Sequence, residues 1–310
     1  MSADSAALEN EIDSLIHGAA RLSLPDTQVL KMTGEDRRGW LQGQITQDIR
    51  DLRSGGSVQT CFCTPTGQLR AFATVYDLDD ALYLVSAQMD VIADRIENLV
   101  ILEDVCYEML PGTLESIQGG GASDFLDEAF ELPALDSISA PWGYAFRRDR
   151  TGLGGWDILT DDQTALSGLE TLTDEALTAL EIEAGLPRFG TDTCEKTLPP
   201  ELGKAFEDAA INYRKGCYTG QEVLQRIHSR GHTNKTWMAV LAESRIEAGD
   251  AIIDGGQTVG TIHRVAWHPR LGWIGTTTVR NASAREGHEV RVQSPAGREI
   301  SAELSHFPLA

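Results

Sequence analysis

The chain has 310 residues but no apolar run of about 18 residues, and no basic-then-apolar segment stands at its start. The first absence argues against a membrane-spanning helix, because such a helix needs about 20 largely apolar residues. The second absence argues against a secretory signal. We therefore predict a protein that has no membrane partner.

Cysteine is also sparse, with five residues and no C-x-x-C pair, at positions 61, 63, 106, 194 and 217. Scattered thiols in odd number are typical of a reducing compartment, so we expect free cysteines and a cytoplasmic location. The seven histidines form no H-x-H or H-E-x-x-H set, and we predict no metal site. The sequence also has no G-x-S-x-G, phosphate-loop or dinucleotide-binding motif.

Positive charge is scarce in the first two thirds of the chain. Residues 1–200 contain 13 Lys or Arg against 35 Asp or Glu, residues 201–310 contain 13 against 12, and the net charge is −21. A surface this acidic repels nucleic acid, so we expect no direct contact with it. The exception is residues 212–235, with five cations against one acid. This segment is either a solvated face or part of a functional surface.

The remaining composition, 41% hydrophobic and 24% charged, is typical of a globular protein of more than one domain. Helical periodicity alternates with strand-like segments up to Lys235, and beyond it short strands recur between Gly, Asn and Asp turns. We predict an α+β protein with two mixed α+β units, residues 1–115 and 116–235. A C-terminal β-domain, an antiparallel barrel or sandwich, follows at residues 236–310.

The stretch "KGCYTGQE", residues 215–222, reads in part as a helix start. Thr219 and Glu222 match a capping box, in which the Thr side chain caps the helix and the Glu side chain reaches back. Tyr218 and Val223 match the accompanying hydrophobic staple. We predict a helix that begins after Thr219 and ends at Gly231.

Cys217 is not explained by the helix start. It precedes the predicted helix, whose unpaired N–H groups and adjacent Lys215 would lower the pKa of a thiol and favour a thiolate. Two alternatives stay open from the residues alone. The thiol could be a small buried side chain that fills a gap, or the same N–H groups could hold a carboxylate or phosphate.

"KGCYTGQE" resembles the signature of the YgfZ family, folate-binding relatives of the T-protein, the aminomethyltransferase of the glycine cleavage system. The likeness extends over most of the chain, through "LQGQITQDIRDL", "CTPTGQL", "VILEDV", "IEAGLPRFG" and "GGQTVGTIHRVAWHPRLGWIGTTTV". Mitochondrial iron–sulfur assembly factors share the pattern. The resemblance implies a ring of three domains, the last a β-barrel, around a channel that holds tetrahydrofolate or a derivative. It also allows the first two domains to interleave in sequence.

The resemblance implies roles for residues near the motif. Cys217 would be the functional thiol, with a transient bond to an iron–sulfur cluster or to a partner, and Lys215 would keep it ionised. Tyr218, Gln221 and Arg226 would shape or charge the mouth of the channel.

Two further residues are carried over from more distant segments. Glu183 in "EIEAG" matches the T-protein glutamate that holds the pterin, although Glu181 stands where the T-protein pattern has Arg. Asp48 matches the aspartate of a T-D-V segment, and it would either face the channel or cap the following turn.

The implied function is a folate-binding accessory role in iron–sulfur cluster assembly or repair. Its partners would be iron–sulfur proteins or assembly factors, and it would support cluster enzymes such as tRNA-modifying methylthiolases. One alternative is a folate-dependent one-carbon transferase, either an aminomethyltransferase or a demethylase. The turn "GQLRAF" lacks the carboxylate that assists methylene transfer, which argues against this alternative. The other alternative is a non-catalytic folate-binding scaffold, so whether the chain is an enzyme stays open.

Overall fold

The computed structural model describes residues 3–130, 135–160 and 164–309. The helices in these ranges are α1 (Ala3–His17), α2 (Arg37–Gln42), α3 (Met89–Leu99), α4 (Ala122–Phe130), α5 (Asp174–Ala184), α6 (Lys204–Ala210) and α7 (Gln221–Arg230), with 3₁₀ turns at Thr164–Leu166 and Pro199–Leu202. The strands are β1 (Ala20–Leu24), β2 (Gln28–Thr33), β3 (Ser57–Cys63), β4 (Leu69–Leu78), β5 (Ala81–Ser86), β6 (Cys106–Met109), β7 (Leu114–Gln118), β8 (Ser137–Ala140), β9 (Gly143–Arg147), β10 (Gly155–Leu159), β11 (Lys235–Ala242), β12 (Ala251–Asp254), β13 (Gln257–His268), β14 (Gly272–Arg280), β15 (His288–Gln293) and β16 (Glu299–Ser305).

The first sheet has the strand order β3-β4-β5-β2-β6, and all its pairs are antiparallel. One face is covered by α2 and α3, whose apolar stripe includes Trp40, Leu41 and Ile92. This packing follows from the sequence, because apolar residues at helical spacing bury one side of each helix against the sheet.

The second sheet has the order β1-β7-β10-β9-β8, so the first strand of the chain pairs with β7. The Gly-rich segment at 119–121 lies against the end of α1. Gly120 donates to the carbonyl of Leu15 at 2.8 Å, and a Cβ on Gly120 would lie 2.0 Å from the carbonyl oxygen of Ile16. Only glycine permits this approach of two backbones. The domain limits of 115 and 235 stay a prediction.

The C-terminal strands close into a barrel of order β11-β14-β13-β12-β15-β16, with β16 pairing back to β11. Its inward-facing residues, such as Val240, Ile262 and Val292, alternate with outward-facing ones. The α+β class with a C-terminal antiparallel barrel is therefore confirmed. Across the described ranges, no helix is both long and apolar enough to cross a membrane.

Helix α5 joins the barrel to the rest of the molecule. Its N-cap is Thr173, whose hydroxyl accepts from the N–H of Ala176, and it ends at Gly185 with φ of 70°. Buried residues of α5 share an apolar cluster with α1 and with barrel residues Ala239 and Ile274. The carboxylates near the end of α5 are thereby held between the sheets and the barrel.

Candidate functional site

The KGCYTGQE segment spans the end of the loop between α6 and α7 and the first two residues of α7. Below the loop, the ring of Tyr213 stacks on His228 with centroids 3.8 Å apart, and the Tyr213 hydroxyl donates to Glu207 at 2.5 Å. At its tip, Gly216 and Cys217 are exposed. The sequence alternative in which Cys217 fills a buried gap is therefore wrong. The thiol stands where a partner molecule can reach it.

Lys215 is buried and bonded entirely to backbone. Its Nζ donates to the carbonyl oxygens of Gln42 at 2.7 Å, Ile45 at 2.7 Å and Gln47 at 2.8 Å, and it lies 5.0 Å from the centroid of the Tyr218 ring. An ammonium has three donor protons, and these three bonds use all of them. Lys215 therefore ties the Cys217 loop to the loop between α2 and β3, and its predicted role of keeping Cys217 ionised stays a prediction.

Asp48 lies beside this anchor. Its carboxylate accepts from Gln42 Nε2 at 3.0 Å and forms an ion pair with Arg50, which lowers the pKa of Asp48 to about 2. Burial lowers the pKa of Lys215 to about 7, while the negative charge of Asp48 raises it. Asp48 thus braces the 42–50 loop and partly offsets the cost of the buried cation.

The predicted capping box is wrong. Helix α7 begins at Gln221 with Gly220 as its N-cap, at φ of 90°, and no side chain caps it. A Cβ on Gly220 would lie 2.7 Å from the carbonyl oxygen of Thr64. The close approach to the turn after β3 requires the left-handed backbone of glycine, and this geometry replaces the Thr cap. Glu222 instead pairs with Arg226 at 2.8 Å on the exposed face of α7.

Tyr218 is buried, in contrast to its neighbour Cys217. It packs in an apolar cluster with Cys61, Cys63 and Trp237, and its hydroxyl has no hydrogen-bond partner among the described residues. Burial raises the pKa of Tyr218. The aromatic ring therefore fastens the loop to the core.

A cavity of about 370 Å³ lies between the two sheets and the end of α5. Its walls come from β3, β4 and β5, from the loop at 148–150, from the segment at 184–189 that follows α5, and from α6. This volume is in the range of sites for small molecules and cofactors. None of the seven residues predicted as a site is among the described residues that line it: Asp48, Glu183, Lys215, Cys217, Tyr218, Gln221 and Arg226.

The cavity combines aromatic rings with positive charge. Phe72 packs against Phe189 at 5.5 Å and against Phe206 at 5.3 Å between ring centroids. Arg150 is paired with Asp157 at 2.6 Å, whereas the guanidinium of Arg148 has no ion pair or hydrogen bond with any described residue. Burial and the charge of Arg150 lower the pKa of Arg148. A cavity lined by a half-buried cation and three aromatic rings suits a planar, anionic ligand.

The two carboxylates near the end of α5 point to different neighbours. Glu181 lines the cavity, and its Oε2 accepts from Arg188 at 2.6 Å and Arg264 at 2.5 Å. Glu183 instead lies 3.3 Å from His268 Nε2 and forms an ion pair with Arg270 of the barrel. The nearby ring of His268 and the charge of Arg270 lower the pKa of Glu183, although burial opposes them.

Residues 45–47 form hydrogen bonds both to the cavity wall and to the Lys215 anchor. Thr46 Oγ1 lies 3.2 Å from Thr60 Oγ1 and donates to the carbonyl of Ala210 at 2.7 Å, and both Thr60 and Ala210 line the cavity. The neighbouring carbonyls of Ile45 and Gln47 accept from Lys215. The thiol loop and the cavity are thus built on opposite sides of one short segment.

Cys194 is a further exposed thiol, which the sequence-based predictions do not include. Burial alone would raise its pKa, but the N–H of Lys196, the Thr197 hydroxyl and the charge of Lys235 together lower it. The Thr197 hydroxyl donates to Sγ at 3.6 Å. The C-x-x-T spacing was the available signal. In residues 3–130, 135–160 and 164–309, no three His, Cys, Asp or Glu side chains are grouped to hold a metal ion.

Sequence comparisons identify known proteins that are similar to this chain over most of its length. The chain is 26% identical over 301 residues to the tRNA-modifying protein YgfZ of Yersinia enterocolitica, covering 91% of this chain and 86% of that protein. An uncharacterized protein of Haemophilus influenzae is 22% identical over 234 residues, covering 73% of this chain and 75% of its own length. No family model matches the chain.

The fold itself has a solved counterpart. The glycine cleavage system aminomethyltransferase T of Bartonella henselae superposes with a TM-score of 0.87 at 20% identity, covering 98% of this chain and 89% of that one. The resemblance predicted from the sequence is confirmed: the chain is similar in sequence to the YgfZ proteins and has the fold of the T-protein.

Proposed function

We propose that this protein is a folate-binding accessory factor for iron–sulfur cluster assembly or repair. The observation that carries the folate half is the cavity, whose lining includes Phe72, Phe189 and Phe206 as well as Arg148, a cation with no ion pair among the described residues. A folate has a planar pterin and an anionic glutamate end, so both of its chemical parts have a complement in the cavity. Tetrahydrofolate or a derivative would be held by these residues, and it would supply one-carbon or redox chemistry when bound.

The accessory half of the proposal rests on the exposed thiol. Cys217 stands outside the cavity on a loop fixed by Lys215, which suits contact with a second macromolecule better than contact with a cavity-bound folate. The name of the YgfZ relatives, tRNA-modifying protein, supports a link to tRNA modification. We propose that this link is indirect and passes through cluster enzymes such as methylthiolases.

A one-carbon transferase is the second candidate, because the fold is that of an aminomethyltransferase. The turn that carries the assisting carboxylate in the T-protein pattern ends here in exposed Arg70 and buried Ala71. The carboxylates of Glu181 and Asp149 line the cavity, but Glu181 is held by two arginines and Asp149 accepts two backbone N–H groups. Neither is free to accept a proton readily. Robust turnover with a lipoylated carrier would establish this second function.

Complementation tests the first candidate. In a strain lacking the gene, the wild-type chain should restore the activity of cluster-dependent tRNA methylthiolation, and Cys217→Ala should not. Cys194→Ala is the matched control, because Cys194 is also exposed but lies outside the motif. Full rescue by Cys217→Ala would show that the function does not need the Cys217 thiol. Folate binding is tested separately by titration with tetrahydrofolate, and the absence of binding would refute the folate-binding part of the proposal.

A further inference from the structure

Two consecutive aliphatic side chains stand almost fully in solvent at the end of α3. Ile101 is 81% exposed and Leu102 is 94% exposed, and Leu99, which ends the helix, is 47% exposed. Single exposed aliphatic residues are ordinary on a protein surface. A contiguous group is less ordinary and commonly marks an interaction site. We call residues 99–104 the apolar tip.

The apolar tip is held in one shape by specific hydrogen bonds. The Glu103 carboxylate accepts from the N–H of Ile101 at 3.0 Å and from that of Leu102 at 3.1 Å. Asp36 and Asp104 bond reciprocally, since Asp104 N–H donates to the Asp36 carboxylate at 2.8 Å and Asp36 N–H to the Asp104 carbonyl at 3.1 Å. A tip fixed before binding loses little conformational entropy when a partner covers it.

The surroundings of the tip are acidic. Glu103 and Asp104 belong to it, and the exposed residues Glu35 and Asp36 border it through the bonds to Asp104. Glu97 lies one turn earlier on α3 and is also exposed. The nearest cation along the chain is Arg95, which donates to the carbonyls of Gln44 and Cys63. Arg37, next to Asp36, donates to the carbonyl of Gly34. The border of the tip therefore presents negative charge.

This charge decides which occupant fits. A second copy of the chain carries a net charge of −21, and it would bring a second acidic border against the first. An anionic membrane surface would be repelled for the same reason. A protein with an apolar pocket bordered by Lys and Arg would gain from both the aliphatic side chains and the charge.

We propose that the apolar tip is the docking site for such a basic-bordered partner, and that this partner is the iron–sulfur protein that the accessory factor serves. The second clause rests on the proposed function. Ile101 and Leu102 would fill the pocket of the partner, and the carboxylates would fix its orientation. The tip lies outside both the folate cavity and the Cys217 loop.

The test compares three variants in the gene-deletion strain. Ile101→Ser/Leu102→Ser should lower rescue of cluster enzymes at least about tenfold, since central apolar anchors dominate interface energetics. Ile16→Ser is the matched control, because Ile16 is an exposed aliphatic residue of α1 and should rescue fully. Tetrahydrofolate affinity and the unfolding midpoint should be unchanged in both. Cys217→Ala is carried alongside to test the proposed function.

The outcomes separate the two proposals. Full rescue by the Ile101/Leu102 variant, in an assay where Cys217→Ala fails, overturns the docking site and leaves the proposed function standing. Rescue by Cys217→Ala overturns the function of the thiol. A photo-crosslinking residue at position 102 adds a physical readout: it should capture an iron–sulfur protein at a pocket bordered by Lys or Arg, and less of that protein with Glu35→Lys. Adducts only between copies of this chain, or sedimentation with phosphatidylglycerol vesicles, would also overturn the proposal.

Discussion

Lys215 Nζ lies 2.7 Å from the carbonyl oxygen of Ile45, and this bond joins two segments that are 170 residues apart in sequence. One segment contains the exposed thiol of Cys217, and the other supports Thr46, which contacts the wall of the cavity. The ammonium of Lys215 therefore holds the Cys217 loop against residues 42–47. This structural role cannot be read from the position of Lys215 near Cys217 in the sequence.

Lys215→Met should destabilise the protein. The variant keeps the apolar stem but leaves three carbonyl oxygens without their donor, which should lower the free energy of unfolding by about 3 kcal/mol. Urea unfolding at pH 6, where Lys215 is charged, measures this loss. Arg226→Met is the control, because its ion pair with Glu222 is exposed and should contribute less than about 0.5 kcal/mol. A loss below about 1 kcal/mol for Lys215→Met would contradict the anchoring role.

Gly220→Ala should destabilise the protein through the backbone. An alanine at φ of 90° is strained, and its Cβ would lie 2.7 Å from the carbonyl oxygen of Thr64, so we expect a loss of about 2 kcal/mol or more. Gly216→Ala in the same loop has no atom within 4 Å of the added Cβ and should change stability by less than about 0.5 kcal/mol. Equal effects of the two substitutions in thermal unfolding would refute this explanation of the helix start.

Arg148→Met should weaken tetrahydrofolate binding without unfolding the protein. Loss of a charge-assisted bond in a partly buried site corresponds to a rise in Kd of about tenfold or more. The adjacent Arg147→Met is the control, because Arg147 is exposed, pairs with Asp136 and does not line the cavity. Calorimetric titration gives both values. An unchanged Kd for Arg148→Met would show that the anionic end of the ligand lies elsewhere.

Glu181→Gln should lower folate affinity more than Glu183→Gln. Glu181 lines the cavity, whereas Glu183 is engaged by His268 and Arg270 of the barrel. Glu181 also accepts hydrogen bonds from Arg188 and Arg264, so its replacement could destabilise the fold. The unfolding midpoint of each variant is therefore measured together with its folate affinity. A larger affinity loss for Glu183→Gln would restore the assignment made by resemblance to the T-protein.

Alkylation of Cys194 should begin at lower pH than for an ordinary thiol. Its pKa is lowered, so the reactive thiolate forms at lower pH, and the rate should rise with pH around a midpoint below the usual range. Peptide mass spectrometry after iodoacetamide pulses gives the midpoint for each cysteine. Thr197→Val removes the hydroxyl that donates to Sγ and should move the midpoint upward. A midpoint that stays the same in this variant would exclude the Thr197 hydroxyl as a cause.

The fold could be predicted from the sequence where the pattern is local. The C-terminal barrel shows strands of period two between Gly and Asp turns, and that pattern survives in β11 to β16. The sequence predicts a helix that follows a Thr219 cap, whereas α7 begins at Gln221 after Gly220. Local sequence does not show that the turn at Thr64 crowds Gly220. Tertiary contact, and not local propensity, fixed that backbone.

The site was harder to predict than the fold. The sequence predicts Lys215 and Asp48 as site residues independently of each other. Only the folded chain shows that Lys215 binds the loop that contains Asp48. The cavity draws Phe72, Arg148 and Glu181 from two sheets and a helix, and no spacing rule links residues so far apart. Such residues become a group only through the packing of distant elements.

A crystal structure of the protein with tetrahydrofolate tests the central claim most directly. We expect the pterin in the cavity beside Phe72 and Phe189, the glutamate end near Arg148, and the thiol of Cys217 free of contact with the ligand. Folate bound at the Cys217 loop, or no bound folate at saturating concentration, would contradict the account.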